Sequence, residues 1–439
     1  MGILTIFEVC KISCIYSMIT LYVFILSKGA RMNRRSFSRT QILILLSVWL
    51  TFLLSFVMRL SWSSVMPILN EALHFTAKMG AQHISAFYFG YALTVLPGGI
   101  LADKIGYRRT ILFSLIGMAA VTALMSTITD YNMAWGLRFL LGVMSGPVQA
   151  SCLSAIGDHF GPNQRGAAVG IFMSCTSFGI TTVNLYAPYV ATHYGWQTAF
   201  LATAILPLAV LVLCYFTVRK PSAEIMAQRE AEASEAAAKL GVGQTSLKEN
   251  LKHILSNRNI RCLAIAGFFA TGTTWGVTQW ANLYMVKQLG VTAIYAGQVM
   301  SVFGTAALIA KPTIGILSDI LPIKKNHLAA LVMFLFAPAL ILFASTSNPN
   351  MLFITGPILG IGAFMHSALT NALVVQSAAP HLRGTTAGFV NLFNQIGALL
   401  APLLLGNVLV MTGSYQMSLM SIAIAPIIGA CALFFIRLK

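Results

Sequence analysis

The most informative stretch of the chain is GILADKIGYRR, at residues 99–109, in which glycines, one acid and three cations follow an apolar run. A shortened copy, GILSD, stands at residues 315–319, which is 216 positions later. A second pair of similar stretches, RGAAVG at 165–170 and RGTTAG at 383–388, is separated by 218 positions. Two pairs at nearly the same separation indicate that the chain contains an internal duplication.

The composition is that of a membrane protein. Apolar residues make up 57% of the 439 residues and charged residues only 9%, with a mean hydropathy of +0.79. Each membrane-spanning helix needs roughly 20 mostly apolar residues. Twelve apolar segments lie at 41–69, 82–103, 109–129, 132–157, 166–193, 196–218, 261–286, 293–319, 327–346, 350–377, 384–411 and 414–436. We therefore predict an all-α polytopic membrane protein with twelve core helices in two pseudo-symmetric six-helix bundles. Repeated halves commonly place a substrate site between them.

The basic residues predict the orientation of the chain. The formal charge of +17 would indicate nucleic-acid binding in a soluble protein, but here the cations lie in short loops at alternate ends of the apolar segments. The other ends keep only Lys78 and Lys287. Since cytoplasmic loops are rich in Lys and Arg, we predict that the core termini and the central linker are cytoplasmic. We expect no nucleic-acid partner and a location in a bacterial inner membrane, with an organellar membrane as the alternative.

Four regions are predicted: an N-terminal extension at 1–39, a first bundle at 40–218, a cytoplasmic linker at 219–259 and a second bundle at 260–439. The linker is polar and alanine-rich and holds five of the eleven acidic residues. Residues 1–31 leave three possibilities, which are an extra helix, an interfacial anchor, or an upstream extension with translation starting at Met32.

The stretch at 99–109 follows the spacing G-x-x-x-D-[RK]-x-G-[RY]-[RK]-[RK] and closely resembles the signature loop of the major facilitator superfamily. The resemblance covers roughly residues 40–437 and implies transport by alternating access. It also implies a conformational latch made of Gly99, Asp103, Gly106, Arg108 and Arg109, with Asp319 in the second copy. Physically, glycines allow close helix approach, and Asp103 can cap a neighbouring helix and pair with a loop arginine. The alternative is a basic loop that only orients the chain.

Three further stretches resemble the anion:cation symporter branch of that superfamily, whose members move sugar acids, carboxylates and phosphate. They are Met58–Pro67, Phe87–Tyr91 and Arg138–Pro147. In that branch the arginine of the first helix touches the substrate carboxylate and the arginine of the fourth takes part in coupling, so the resemblance implies these roles for Arg59 and Arg138. Met58 stands where some relatives have an acid, and Ser145 stands where many have a glutamate, so the proton-coupling mechanism of the family cannot be carried over.

Three cations lie within apolar segments: Arg59, Arg138 and Lys311. A charge near the bilayer centre is costly, and it therefore marks a candidate functional site. Arg138 has the alternative role of hydrogen-bonding carbonyl groups of a neighbouring helix, and Lys311 that of extending toward the cytoplasmic surface. We predict that Arg59 binds the substrate, helped by Arg138 or Lys311.

None of the eleven acidic residues falls in the middle of an apolar segment, so the protein itself offers no counter-charge to these cations. An uncompensated buried charge is expensive. We predict that the counter-charge is the substrate, a small organic anion such as a carboxylate or sugar acid. The planar guanidinium of arginine binds such groups with two parallel hydrogen bonds.

Polar residues on other segments are predicted to complete the site, although each has interhelical packing as its alternative role. Tyr88, Tyr91, Gln279 and Asn391 are the predicted additional substrate contacts. The coupling ion is predicted to be H⁺ or Na⁺. His366 is the titratable candidate for proton coupling, and its alternative is a hydrogen-bonded structural histidine. Coupling through a protonated substrate, sodium coupling, exchange and uniport are the other possibilities.

The function predicted from the sequence is secondary active transport of a small organic anion, as cation-coupled uptake by a monomer. No catalytic constellation and no phosphate-binding loop is present, which argues against an enzyme, and the seven cysteines lack disulfide or metal-ligand spacing. We expect no cofactor and no metal. The alternatives are an amino-acid carrier, an efflux antiporter for drugs or siderophores, and a membrane sensor that does not transport.

Overall fold

The computed structural model describes residues 37–219, 254–378 and 382–437, and these residues form helices and no β-strand. The helices are α1 (Arg39–Ala72), α2 (Ala77–Ile105), α3 (Tyr107–Leu124), α4a (Tyr131–Ser145), α4b (Val148–His159), α5 (Pro162–Tyr194), α6 (Trp196–Thr217), α7 (Arg258–Leu289), α8 (Ala293–Ile320), α9 (Lys325–Ala344), α10 (Leu352–Ser377), α11 (Arg383–Thr412), α12a (Tyr415–Ser421) and α12b (Ile424–Phe434). Short 3₁₀ turns at Met125–Thr127 and Pro349–Met351 precede α4a and α10.

Eleven helices in the described part of the chain are long and apolar enough to cross a membrane, with α4 and α12 each counted once. The remaining helix, α2, has 29 residues. At ~1.5 Å per residue it is about 43 Å long, which exceeds the hydrocarbon thickness of ~30 Å. The prediction of an all-α polytopic membrane protein with twelve core helices is confirmed.

Two predicted helices, the fourth and the twelfth, are each broken into two parts. The apolar segment at 132–157 forms α4a and α4b, which are separated by Gly146 and Pro147. Pro147 has no backbone N–H to continue the helical hydrogen bonds. A Cβ atom on Gly146 would collide with Thr94 of α2, so glycine is required for the helices to come this close. Pro147 thus interrupts the helical hydrogen bonds, and Gly146 allows α2 to approach closely at the same place.

The two halves repeat one packing contact. In the first half, a Cβ atom on Gly142 of α4a would collide with the carbonyl oxygen of Phe87 on α2. In the second half, a Cβ atom on Gly360 of α10 would collide with the carbonyl oxygen of Phe303 on α8. The two phenylalanines are 216 positions apart and the two glycines 218, the same separations as those of the repeated sequence motifs. The duplication seen in the sequence is therefore also a duplication of helix packing.

The bundle has two chemically different ends. We call one the basic face, where α1 begins and where Lys104, Arg108, Arg165 and Lys324 lie, and the other the opposite face. The two halves meet near the opposite face through contacts that include the following three. Lys287 Nζ lies 3.5 Å from Glu71 Oε2, Ser85 donates a hydrogen bond of 2.8 Å to the carbonyl of Leu399, and Gly406 packs against Ala81.

An acidic residue caps the N-terminus of α4a. Asp130 accepts hydrogen bonds from the backbone N–H groups of Asn132 and Met133 at the start of α4a. These bonds, that of Met133 above all, lower the pKa of Asp130 below its usual value. The cap positions α4a, which carries Arg138.

Two predicted regions lie mostly outside the described residues. They are the N-terminal extension at 1–39, of which the structure describes the last three residues, and the linker at 219–259. Their boundaries, and the three possibilities for residues 1–31, remain predictions.

The close approach of α2 and α4a can be tested with two glycines of the same helix. Gly142→Ala is expected to destabilise the protein, because the added methyl group would meet the Phe87 carbonyl and overpacking typically costs about 1–3 kcal/mol. Gly136→Ala is the control, since nothing lies within 4 Å of its Cβ position. Thermal unfolding of the purified proteins in detergent measures both effects. Equal melting temperatures would show that the helices separate at no cost.

Candidate functional site

Arg59 lies in the middle of α1 and is only 2% exposed. Its guanidinium carbon lies 4.4–5.8 Å from the centroids of the rings of Phe56, Phe87, Tyr88, Tyr91 and Trp275, which we call the aromatic box. Ring faces attract cations by about 0.5–2 kcal/mol each. Nε and Nη2 of Arg59 nevertheless have no hydrogen-bond partner among the described residues. The rings stabilise the charge but leave these donors available to an acceptor.

Unlike Arg59, Arg138 donates hydrogen bonds to backbone carbonyl groups. It is fully buried in α4a and donates from Nε to the carbonyl of His83 (3.2 Å) and from Nη1 to the carbonyl of Arg59 (3.1 Å). These two bonds connect α4a to α2 and to α1 at the very residue whose side chain fills the aromatic box. The geometry is that of an arginine that positions its neighbour. The substrate contact predicted for Arg138 remains a prediction.

A cavity of about 390 Å³ lies between the halves, on the basic-face side of the aromatic box. Residues of α5, α7, α8 and α10 form its wall, among them Lys311, His366 and Trp275. Lys311 donates a hydrogen bond of 2.6 Å from Nζ to Thr176 Oγ1, and Nζ lies 4.9 Å from the ring centroid of Phe364. Lys311 therefore reaches across to α5, in the other half, and does not extend to the basic face.

Aromatic rings separate the cavity from Arg59. The ring of Trp275 stacks on Phe56 at 5.5 Å and packs edge-on against Phe364 at 6.0 Å, and both Trp275 and Phe364 line the cavity. Arg59 is not part of the cavity wall. In this structure an anion in the cavity would thus meet Lys311 first, with Trp275 between it and Arg59.

Buried polar side chains close the path toward the opposite face. Ser63 of α1 donates a hydrogen bond of 2.7 Å to Gln279 Oε1 of α7, and Gln279 Nε2 donates one of 2.8 Å to the hydroxyl of Tyr88 on α2. None of the three residues is more than 1% exposed. Gln279 thus joins the halves directly beside the aromatic box.

A second bridge lies nearby. Asn184 of α5 accepts hydrogen bonds of 2.9 Å at Oδ1 from both Ser64 of α1 and Asn282 of α7. With the bridge through Gln279, it forms what we call the polar gate: Ser63, Ser64, Tyr88, Asn184, Gln279 and Asn282. All members are neutral, so opening the gate would leave no charge unpaired.

Equivalent positions of the two halves face each other here. Ser63 and Gln279 are 216 positions apart and are hydrogen-bonded. Arg59 and Trp275 have the same separation and are in contact at 5.8 Å. This separation equals that of the repeated motifs, so α1 and α7 meet along the pseudo-two-fold axis that relates the halves.

No carboxylate among the described residues forms an ion pair with Arg59, Arg138 or Lys311. The acids that the structure pairs lie at the ends of helices, where Glu71 meets Lys287 and Asp319 meets Lys325. Both pairs are substantially exposed, and such pairs contribute little to stability. The absence of an internal counter-charge, predicted from the sequence, therefore holds in the described part of the chain.

Other predicted site residues are divided between the cavity and its surroundings. His366 lines the cavity and its ring stacks on Phe336 at 6.3 Å. Tyr91 belongs to the aromatic box. Asn391, on α11, accepts a hydrogen bond of 3.2 Å from Gln395 and lies outside the cavity wall, so the structure does not bring it together with Lys311.

The predicted latch residues are found at the basic face. Gly106 joins α2 to α3 with a φ of +88°, a conformation that favours glycine. Arg108 donates a hydrogen bond of 2.7 Å to the carbonyl oxygen of Tyr215 on α6. Asp319 accepts a hydrogen bond of 3.1 Å from Lys325. Both residues therefore bind partners in their own half. Gly99 packs on α4b, and Arg109 is exposed. The side chain of Asp103 lies outside the described residues, and the latch remains a prediction.

The sequence analysis missed Thr176 and Asn184 as site residues. Threonine and asparagine in an apolar helix are usually packing residues, and neither lies in a recognisable motif. Asn184 could have been singled out, because an amide in the middle of a long apolar segment needs partners. Its partners could not be identified without the structure.

A cavity between two similar bundles, closed near one face, is the arrangement of membrane transporters and not of enzymes. The chain belongs to one such family: residues 48–402 match the model of the Major Facilitator Superfamily. The resemblance found in the sequence is thereby confirmed.

Related proteins cover most of the chain. It is 23% identical over 420 residues to the probable galactarate/D-glucarate transporter GarP of Escherichia coli strain K12, covering 90% of this chain and 94% of that protein. It is 22% identical over 407 residues to the D-galactonate transporter of Escherichia coli O6:H1, with coverages of 89% and 94%. It is also 26% identical over 381 residues to the membrane sensor protein UhpC of Salmonella typhimurium strain LT2, with coverages of 83% and 85%.

Solved structures show the same fold. Two crystal structures of a bacterial homologue of the human lysosomal transporter Spinster, in inward-facing occupied and unoccupied conformations, superpose with TM-scores of 0.72 and 0.73. The sequence identities are 14% and 15%, and each comparison covers 91% of this chain and 97% of the other.

The contrast between the two buried arginines gives a stability test. Arg138→Leu is expected to lower the free energy of unfolding by about 1–3 kcal/mol, because two buried hydrogen bonds are lost. Arg59→Leu is expected to change it by less than about 1 kcal/mol, because the removed charge lacks an ionic partner and its desolvation cost offsets the ring contacts. Thermal unfolding without added anion compares them. If Arg59→Leu is the less stable variant, the interpretation of Arg59 as an uncompensated charge is wrong.

Proposed function

We propose that this protein transports a small organic anion and that Arg59 binds its carboxylate. The observation that carries the proposal is the state of Arg59: buried, surrounded by rings, with two N–H donors unpartnered in the described chain and no carboxylate beside it. A carboxylate supplies two acceptors in the geometry of a guanidinium fork.

The relatives support a sugar acid as the anion. The names of the related transporters specify galactarate, D-glucarate and D-galactonate, which all combine carboxylate with several hydroxyl groups. The cavity offers matching groups, since Ser174, Thr271, Thr274, Ser367 and Asn371 line it. Its volume of about 390 Å³ falls within the roughly 300–1,000 Å³ of small-molecule sites.

We assign the transport mechanism to alternating access in a monomer with cytoplasmic core termini, in a bacterial inner membrane. The polar gate closes the path to the opposite face, and the cavity lies toward the basic face, which supports an inward-facing state under this orientation. Rocking of the halves about α1 and α7 would open the gate and close the cavity. The coupling ion is proposed to be H⁺ or Na⁺, with His366 as the candidate group.

The second candidate function is binding without transport, as a sensor. It is favoured by the relative named as a membrane sensor protein, UhpC. An amino-acid carrier is less suited to this cavity, because an ammonium group needs an acid and no carboxylate lines the described cavity wall. The efflux alternative is distinguished by the direction of flux.

Arg59→Gln is expected to abolish anion binding. An anion that binds only the folded state raises stability, by about 2.7 kcal/mol at a hundredfold excess over Kd. We therefore expect galactarate or galactonate to raise the melting temperature of the unmodified protein and to leave that of Arg59→Gln unchanged. Amino acids and cationic drugs serve as the competing ligand classes.

Arg261→Gln is the matched control, because Arg261 is an exposed cation on α7 and its loss changes the net charge equally. Stabilisation by amino acids or drugs, equal in Arg59→Gln and in the control, would contradict the proposed function. Stabilisation by an anion without flux into liposomes would favour the sensor.

The proposed orientation predicts one-sided labelling of the cavity. Ser367→Cys on the cavity wall should react with a membrane-impermeant maleimide in inverted membrane vesicles and not in intact cells, and added sugar acid should slow the reaction. Thr129→Cys, exposed near the opposite face, should show the reverse sidedness. Labelling is measured above that of the unmodified protein. Reaction of Ser367→Cys from the cell exterior alone would contradict the orientation.

A further inference from the structure

We propose that the transported anion is charged at both ends, and that Arg59 and Lys311 hold its two carboxylates. The substrate class is then an α,ω-dicarboxylate with a polyhydroxylated chain. This inference rests on the proposed function and specifies its substrate.

The two cations belong to different halves of the molecule. Arg59 lies on α1 and Lys311 on α8. Three successive contacts connect them: 5.8 Å from Arg59 to the ring of Trp275, 6.0 Å from that ring to Phe364, and 4.9 Å from Phe364 to Lys311 Nζ. The rings of Trp275 and Phe364 therefore lie between the two charges along this path, so a molecule that binds both cations must extend past these rings.

Both cations need a counter-charge. Lys311 Nζ has one hydrogen-bond partner among the described residues, the hydroxyl of Thr176, although an ammonium group has three donors. Nε and Nη2 of Arg59 have none. A monocarboxylate would neutralise one cation and leave the other uncompensated when the cavity closes around it, which is costly. A dicarboxylate neutralises both, so closure of the halves around it encloses no net charge from this pair.

The space between the cations suits the middle of such a molecule. Trp275 and Phe364 provide ring faces against which the C–H groups of a polyol chain can pack, while Thr271, Thr274 and Ser367 of the same wall offer hydroxyl groups. In the present structure Trp275 stands between the cavity and Arg59, so one carboxylate binds Lys311 first. Displacement of the Trp275 ring then gives the second carboxylate access to Arg59.

The experiment compares three ligands of one carbon skeleton: galactarate with two carboxylates, galactonate with one, and neutral galactitol. Their dissociation constants are measured from the ligand-dependent melting temperature of the purified full chain. We expect galactarate to bind at least about ten-fold more tightly than galactonate, which corresponds to ~1.4 kcal/mol, and galactitol not to bind. Lys311→Gln should remove this preference by weakening galactarate at least about ten-fold, while the affinity for galactonate changes by less than about three-fold.

Two variants serve as controls. Lys324→Gln removes an exposed cation of the basic face and should keep the full preference for galactarate. Lys311→Arg keeps the charge and should retain a preference even if Lys311→Gln folds poorly. Equal affinities for the two anions in the unmodified protein, or equal losses of both in Lys311→Gln, would overturn the proposal and leave the proposed function intact. Binding of neither anion, with binding of another ligand class, would overturn the proposed function itself.

Discussion

The structure depends on three positive charges enclosed between helices without a carboxylate beside them in the described chain. Each charge is accommodated differently. Arg59 is surrounded by ring faces, Arg138 donates to two backbone carbonyls, and Lys311 binds a threonine hydroxyl of the other half. Of the three, only Arg138 has its charge stabilised by backbone carbonyl groups at hydrogen-bond distance among the described residues. Arg138 also keeps one unpartnered nitrogen, Nη2, among the described residues. The unmet donors of Arg59 and Lys311 lie next to the space between the halves, where a ligand can relieve their electrostatic cost.

The closed end of the molecule is held by weaker and more reversible interactions. The polar gate consists of hydroxyl and amide groups whose hydrogen bonds each contribute about 0.5–1.5 kcal/mol net. A gate of buried ion pairs would be harder to open, because separated charges would have to be solvated in a narrow space. Neutral bonds can be exchanged for bonds to water without leaving a charge unsolvated. The exposed pair of Lys287 and Glu71 adds little to this barrier. The molecule thus has its unpaired charges beside the cavity and only neutral hydrogen bonds at the polar gate.

The sequence predicted the helices and the internal charges well, for a physical reason. Hydropathy reflects the bilayer, which requires each spanning segment to be apolar, and the few charged exceptions stand out. It could not predict partners across the interface. Whether Lys311 reaches Thr176 or the basic face depends on the rotamer of a long side chain and on how far apart the halves stand. Whether Trp275 shields Arg59 depends on the orientation of its indole ring. The break in α4 was not predicted because glycine and proline are also common within unbroken membrane helices. That position 146 must be glycine follows only from the proximity of Thr94, which the sequence does not reveal.

The meeting of equivalent positions along α1 and α7 has an evolutionary consequence. If each half once existed as a separate chain that formed a symmetric dimer, the same residue would have stood opposite itself at the axis. Two arginines there would repel each other, and two tryptophans would bind no anion. The present pair of Arg59 and Trp275 requires two copies that mutate independently, as the two halves of one duplicated chain do. Duplication within one chain thus fixes the stoichiometry of the halves and also allows a cation on one side of the axis to face an aromatic ring on the other.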